Sequence, residues 1–178
     1  EIVWWLNINE AISWQKLVFR QSFRTNMTKE TSVSGPYYFE DFDMGATYRH
    51  ARGKTIKESD AVTICNLVLN TAEGHFNDHK MESLPVGESV VFGGVTISMI
   101  IGLASQDTAG NAIRELGMTN IKLLSPVKHG DTLYAYSTVL EKELRKEGGL
   151  ITFTHYGVNQ NETLVFQGDR TVILKTRG

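Results

Sequence analysis

The chain has 178 residues, of which 41% are hydrophobic and 21% charged, and its net charge is −2. Such a chain forms one domain, or one domain with an appendage, and can bury roughly 70% of its unfolded surface. A charge this close to zero argues against a nucleic-acid or anionic-membrane partner, and no apolar run reaches the ~18 residues of a spanning helix.

The one cysteine, Cys65, excludes an internal disulfide framework and fits a reducing compartment, so a cytoplasmic location is expected. Its apolar neighbours mark it as a buried, inert thiol. The first 26 residues differ from the rest: all three tryptophans, Trp4, Trp5 and Trp14, lie there, with Lys16, Arg20 and Arg24 interleaved. A basic amphipathic stretch low in acid can be a targeting or docking segment; the plainer reading, preferred here, is translated upstream sequence ahead of a natural start at Met27. Residues 1–35 are therefore read as an N-terminal extension, partly upstream or flexible, and 36–178 as the domain.

From Pro36 the elements follow in order. Tyr37–Phe42 is aromatic and acidic, and Met44-Gly45 turns into a short strand at Tyr48–Ala51. Thr55-Ile56-Lys57-Glu58 has the form of a capping box, with Ser59-Asp60 as the alternative cap, before a helix running to about Leu69. Asn70–Ser89, with Gly74, Pro85 and Gly87, reads as a loop or broken helix over the surface. Gly93-Gly94 opens a helix over Val95–Gln106 that has almost no polar face and so must be buried nearly all round.

After Gly110 the pattern turns to strands. Ile121–Leu124, Leu133–Leu140, Leu150–Val158 and Leu164–Leu174 are joined by tight turns at His129-Gly130-Asp131, Gly148-Gly149 and Asn159–Asn161. These predict an antiparallel meander. One buried helix followed by such a sheet predicts an α+β fold in which the sheet curls around the helix.

Two segments carry chemistry. In Asn70–Asp78, N-T-A-E-G-H-F-N-D, a polar residue stands five positions before His75, whose imidazole titrates near neutrality and can act as a base. In Phe92-Gly93-Gly94 a helix begins, and its first amides lack internal partners and carry partial positive charge. Gly93 and Gly94 would let a substrate's carbonyl oxygen approach those amides; alternatively they only permit close helix–sheet packing. His75 and His79 are four apart but lack a clear third ligand, so no metal site is expected. His50, His129 and His155 read as structural or solvent-facing, and Glu141–Glu147 as a solvated strand end or hairpin. Nucleotide-binding glycine motifs are absent from the sequence, so no nucleotide cofactor is expected.

These motifs resemble the MaoC-like hydratase/dehydratase family of the hot-dog fold, over about Pro36 to Leu174. Family members carry G-D-x-N-P-x-H, an H-G pair opening the central helix, and a P-V-x-x-G-D-T-L turn. The turn is matched by Pro126-Val127-Lys128-His129-Gly130-Asp131-Thr132-Leu133; the histidine falls on His75, the aspartate position on Asn70, and the H-G pair on Phe92-Gly93. Residues 35–42, G-P-Y-Y-F-E-D-F, look like the entry of the branch acting on mesaconyl- or itaconyl-type CoA thioesters. The resemblance implies (R)-specific 2-enoyl-CoA hydration in fatty acid metabolism, with His75 and Asn70 catalytic and Gly93, Gly94 and Phe92 around the substrate. Coenzyme A is then part of the substrate and no separate cofactor is expected. It implies an acyl-CoA partner and a homodimer or larger homo-oligomer. Asn70 cannot ionise, so it can orient water and cannot take its proton. An acyl-CoA thioesterase and a non-catalytic acyl-CoA-binding protein stand as alternatives.

Overall fold

The structure, a computed structural model, describes residues 28–30 and 36–178. The tryptophan-rich segment and its two readings lie outside the described residues. Six strands form one sheet: β1 (Thr28–Glu30), β2 (Thr47–Thr55), β3 (Ala112–Leu123), β4 (Thr132–Arg145), β5 (Gly148–Val158) and β6 (Leu164–Leu174). Among the described residues three α-helices accompany them: α1 (Glu58–Leu67), the single turn α2 (Asp78–Met81) and the central α3 (Gly93–Thr108).

The sheet order is β1-β2-β4-β5-β6-β3. The predicted meander holds for β4, β5 and β6. β3 departs from it by pairing antiparallel with β6 at the far edge. The chain crosses the sheet along α3, so the next strand lands beyond the meander rather than inside it. β1 adds in parallel to β2, and Lys29 pairs with Asp43.

Local differences from expectation have identifiable causes. Thr55 does not cap α1, because its hydroxyl meets that of Thr132, 2.7 Å away, inside the β2–β4 ladder. The Asp60 carboxylate accepts the Lys57 N–H at 3.3 Å instead, which starts the helix at Glu58. At the other end Leu69 adopts a left-handed φ of 56°, so the helix stops before it.

The core has two apolar clusters with a polar layer near the C-terminal end of α3. In one cluster Val95, Ile100 and Ala104 of α3 pack on Leu133, Ala135, Val165 and Phe166. In the other cluster Phe42, fully buried, makes edge-on contacts with Tyr48 and Phe153 at centroid distances of 5.2 and 4.9 Å. In the polar layer the Asp107 carboxylate lies 2.6 Å from His50 Nδ1, and His50 Nε2 lies 2.7 Å from Ser137 Oγ. Ser137 Oγ is in turn 2.7 Å from His155 Nδ1. All four residues are buried, so this aspartate–histidine–serine chain is closed to substrate. His50 and His155 are thus structural, as expected. Beside the chain, Arg170 grips Glu115 through Nε and a terminal nitrogen at 2.9 and 2.7 Å.

Full burial of α3 is not met. Thr96, Ile100, Ala104 and Thr108 are buried at intervals of four, whereas Ser98 and Gly102 are exposed. The sheet covers one side of the helix and leaves a narrow strip of the other open.

Candidate active site

His75 ends a 3₁₀ turn, Glu73–His75, that follows directly from how α1 terminates. The Asn70 N–H bonds the Cys65 carbonyl at 2.9 Å, and the Asn70 side-chain oxygen accepts the Ala72 N–H at 3.1 Å. That Asx-type contact turns the chain into the His75 segment. Asn77 Oδ1 then accepts the Lys80 N–H at 3.0 Å and caps α2, while Lys80 pairs with Glu73 across the turn.

The imidazole of His75 is half-buried, and its Nδ1 lies 2.8 Å from the Val90 carbonyl oxygen. A carbonyl can only accept, so Nδ1 carries a proton, and the neutral tautomer selected in this way has Nε2 as its bare nitrogen. Val90 is itself held: its N–H bonds the Gly74 carbonyl at 3.0 Å, and the Val91 N–H bonds the Val127 carbonyl at 2.8 Å. Val127 belongs to the P-V-K-H-G-D turn, where Asp131 accepts the Lys128 N–H at 3.0 Å and Gly130, at φ 91°, donates to Ile56 at 2.8 Å. The turn motif therefore braces the segment that orients the histidine and runs into α3.

Phe92 is the N-cap of α3 and offers no side-chain acceptor. The Val95 N–H reaches the Phe92 carbonyl at 2.9 Å, which leaves the Gly93 and Gly94 amides as the helix's free donors. Gly93 and His75 border one cleft of about 470 Å³. Thr96 and Ser125 supply its hydroxyls, and Val90, Val91, Leu123 and Pro126 are among its apolar walls. Such a site combines a base, a positive helix end and an apolar wall, the parts needed for proton transfer beside a polarised carbonyl.

The other sequence-predicted residues lie around this cleft rather than on it. Asn70, half-buried, shapes the turn that carries His75, and its oxygen is committed to Ala72. The Phe92 ring packs on the core and stands 5.6 Å from the His75 ring. It also covers Gly94: a Cβ there would come within 2.4 Å of Phe92 Cε1. Thr96, Ser125, Leu123 and the Val90 carbonyl were not foreseen. Thr96 could have been found, since it lies three residues past Gly93 on the first turn; a backbone carbonyl has no sequence signature. Among the described residues no group of three His, Cys, Asp or Glu side chains converges on a metal position, and no helix is long and apolar enough to cross a membrane. Cys65 is buried, and burial raises its thiol above the ordinary value.

A family model described as mesaconyl-CoA hydratase matches residues 34–176. The mesaconyl-CoA hydratase of Haloarcula marismortui is 32% identical over 151 residues, 78% of this chain and 42% of that protein. Among solved structures, a MaoC domain protein dehydratase from Chloroflexus aurantiacus aligns with a TM-score of 0.73 at 26% identity. That alignment covers 80% of this chain and 45% of the other. A Mycobacterium tuberculosis protein with a double hot-dog fold aligns with a TM-score of 0.70 at 19% identity, over 83% of this chain and 46% of that one, which supports the fold alone. The α+β hot-dog architecture expected from the sequence is thus the one observed. The chain spans less than half the length of the curated relatives it matches.

Proposed function

The chain belongs to the mesaconyl-CoA hydratase family, and from that premise we infer that it adds water across the double bond of 2-enoyl-CoA thioesters and removes it in reverse. The observation that carries this reading is the tautomer of His75, fixed by Val90 so that Nε2 is the free nitrogen of a ring bordering the same cleft as Gly93.

In the forward direction Nε2 takes a proton from water as the oxygen bonds to C3. The π electrons move toward the carbonyl, and the thioester oxygen becomes an enolate held by the Gly93 amide. Removing a donor of this kind typically costs about 2.7–4 kcal/mol of transition-state stabilisation. The imidazolium then returns its proton to C2, so water is added with no net change in the enzyme. A single base serving both carbons delivers hydrogen and hydroxyl to one face of the double bond; the (R) hand proposed for the product depends on which face meets His75. Asn70 acts here by placing His75 through its turn.

Short branched dicarboxylic thioesters of the mesaconyl type are the proposed substrates, following the family match. Incubation with mesaconyl-CoA and crotonyl-CoA tests the reading. Loss of enoyl absorbance is expected; release of free thiol would instead indicate a thioesterase, and neither change would indicate a binding protein.

The proposed assembly is a homodimer. β3 is an edge strand, and Ile113, Leu116, Ile121 and Leu123 are exposed along it. Pairing two such edges across a two-fold axis removes the liability. Light scattering at micromolar concentration should give twice the chain mass, and a monomer would refute the pairing.

A further inference from the structure

Leu123 is the last residue of β3, and its half-exposed side chain turns onto the helix end. A Cβ built on Gly93 would lie 2.3 Å from Leu123 Cδ1, with Cγ and Cδ2 at 3.6 and 3.7 Å. The two residues therefore fill one space from opposite sides: glycine leaves it empty on the helix side, and leucine occupies it from the sheet side. Both border the cleft that contains His75, and Thr96, one turn further along α3 and buried, borders it as well.

The backbone at this point is fixed while the side chain is not. Leu123 pairs with Phe166 in the β3–β6 ladder, and the next residue donates its N–H to the Val165 carbonyl at 2.9 Å. Its methyls are the free end of the side chain, and Cδ1 is the atom nearest to a Cβ on Gly93, so a shift there moves no backbone. Leu123 and Gly93 line the same cleft, so an acyl group held at the Gly93 amide would share that space with the leucine side chain.

We propose that Leu123 is the specificity-determining residue of the cleft, setting through its contact with Gly93 how large a branch at C2 or C3 the acyl group can carry. This rests on the placement of the thioester at the helix end argued above. Removing the side chain enlarges the branch pocket; a ring there closes it. A methyl on Gly93 would close the same space from the helix, and shortening Leu123 would reopen it.

The test compares a 2-methyl-branched with a linear 2-enoyl-CoA in wild type, Leu123→Ala, Leu123→Phe and the Gly93→Ala/Leu123→Ala pair. Contacts of about one methylene are worth ~10–200-fold in discrimination. The branched-to-linear ratio of kcat/KM should rise about tenfold in Leu123→Ala and fall by a similar factor in Leu123→Phe. Gly93→Ala alone should lower it, and the double variant should restore it. A ratio within about twofold of wild type in both Leu123 variants overturns the proposal. Calorimetric binding of the saturated branched and linear acyl-CoAs reads the same preference without turnover. If no enoyl thioester is hydrated but the binding ratio shifts, the hydratase reading fails and the pocket assignment stands. If neither ratio shifts in folded variants, the pocket assignment fails.

Discussion

The Nδ1 of His75 donates a hydrogen bond to the carbonyl of Val90, 2.8 Å away and 15 residues downstream. The bond fixes the ring and its tautomer, and leaves Nε2 as the nitrogen to which the proposed chemistry is assigned. A carbonyl cannot exchange protons with its partner as a carboxylate could, so in the proposed mechanism His75 would work as a lone base with a passive orienter. Replacing His75 with Ala should lower kcat by about 10²–10⁴, the usual worth of general acid–base catalysis. His75→Asn keeps a donor for Val90 while removing the base. A similar loss in both variants, with unfolding midpoints near wild type, is the expected pattern; undiminished turnover in either would remove His75 from the mechanism.

Asn70 contributes through its side-chain oxygen, which accepts the Ala72 N–H at 3.1 Å and so shapes the turn bearing His75. Asp can make the same contact and Ala cannot. Asn70→Asp should therefore fold like wild type, and any change should appear in the pH profile of kcat, because a new ionisable group stands upstream of the base. Asn70→Ala should lose about 1 kcal/mol of stability, the net worth of one hydrogen bond, together with part of the activity. If Asn70→Ala retains full stability and turnover, the turn does not depend on this side chain.

Much of this was legible in the sequence because it rests on local pattern. Apolar spacing over Val95–Gln106 marked the helix, paired glycines marked its start, and alternation with Gly and Asn turns marked β4, β5 and β6. The position of β3 was not legible, since pairing at the far edge is decided by the path of α3 across the sheet. Long-range polar contacts were equally hidden. His50, Asp107, Ser137 and His155 are scattered over 106 positions of chain and meet only when β2, β4 and β5 align beneath α3. At the site, His75 and Gly93 could be read as chemical groups. Leu123 looked like any strand leucine, because its meaning lies in what it touches.

His155 makes stability depend on pH. Burial is the main force holding its imidazole well below the ordinary histidine value, and His50 and Arg170 nearby oppose a further positive charge. Its Nε2 has no hydrogen-bond partner among the described residues, and the Phe153 ring stacks at 5.8 Å. In the unfolded chain a histidine titrates near ~6.5 and takes up a proton that the folded chain refuses. Stability should thus be highest above that pH and fall as the solution is acidified, by up to about 1.4 kcal/mol per pH unit for this one group. The decline continues until the folded-state value is reached. His155→Gln, which can still donate to Ser137, should flatten the dependence of the unfolding midpoint between about pH 7 and pH 5.5. An unchanged slope would assign the dependence to other groups.

Gly93 separates packing from catalysis at the helix end. The atom nearest to a new Cβ is Leu123 Cδ1, the tip of a half-exposed side chain, not backbone. Gly93→Ala should therefore displace the leucine at little cost, and replacing Gly at the start of a helix removes some unfolded-state entropy in compensation. Gly93→Val adds a β-branched side chain where the proposed mechanism places the acyl group, so it should cut kcat/KM much more than it lowers the unfolding midpoint. If the glycine served packing alone, the balance would reverse: a large fall in melting temperature with unchanged turnover per folded molecule. Thermal unfolding and kcat/KM measured on the same preparation of each variant decide between the two. A sharp drop in melting with intact turnover would remove the Gly93 amide from the stabilisation of the enolate.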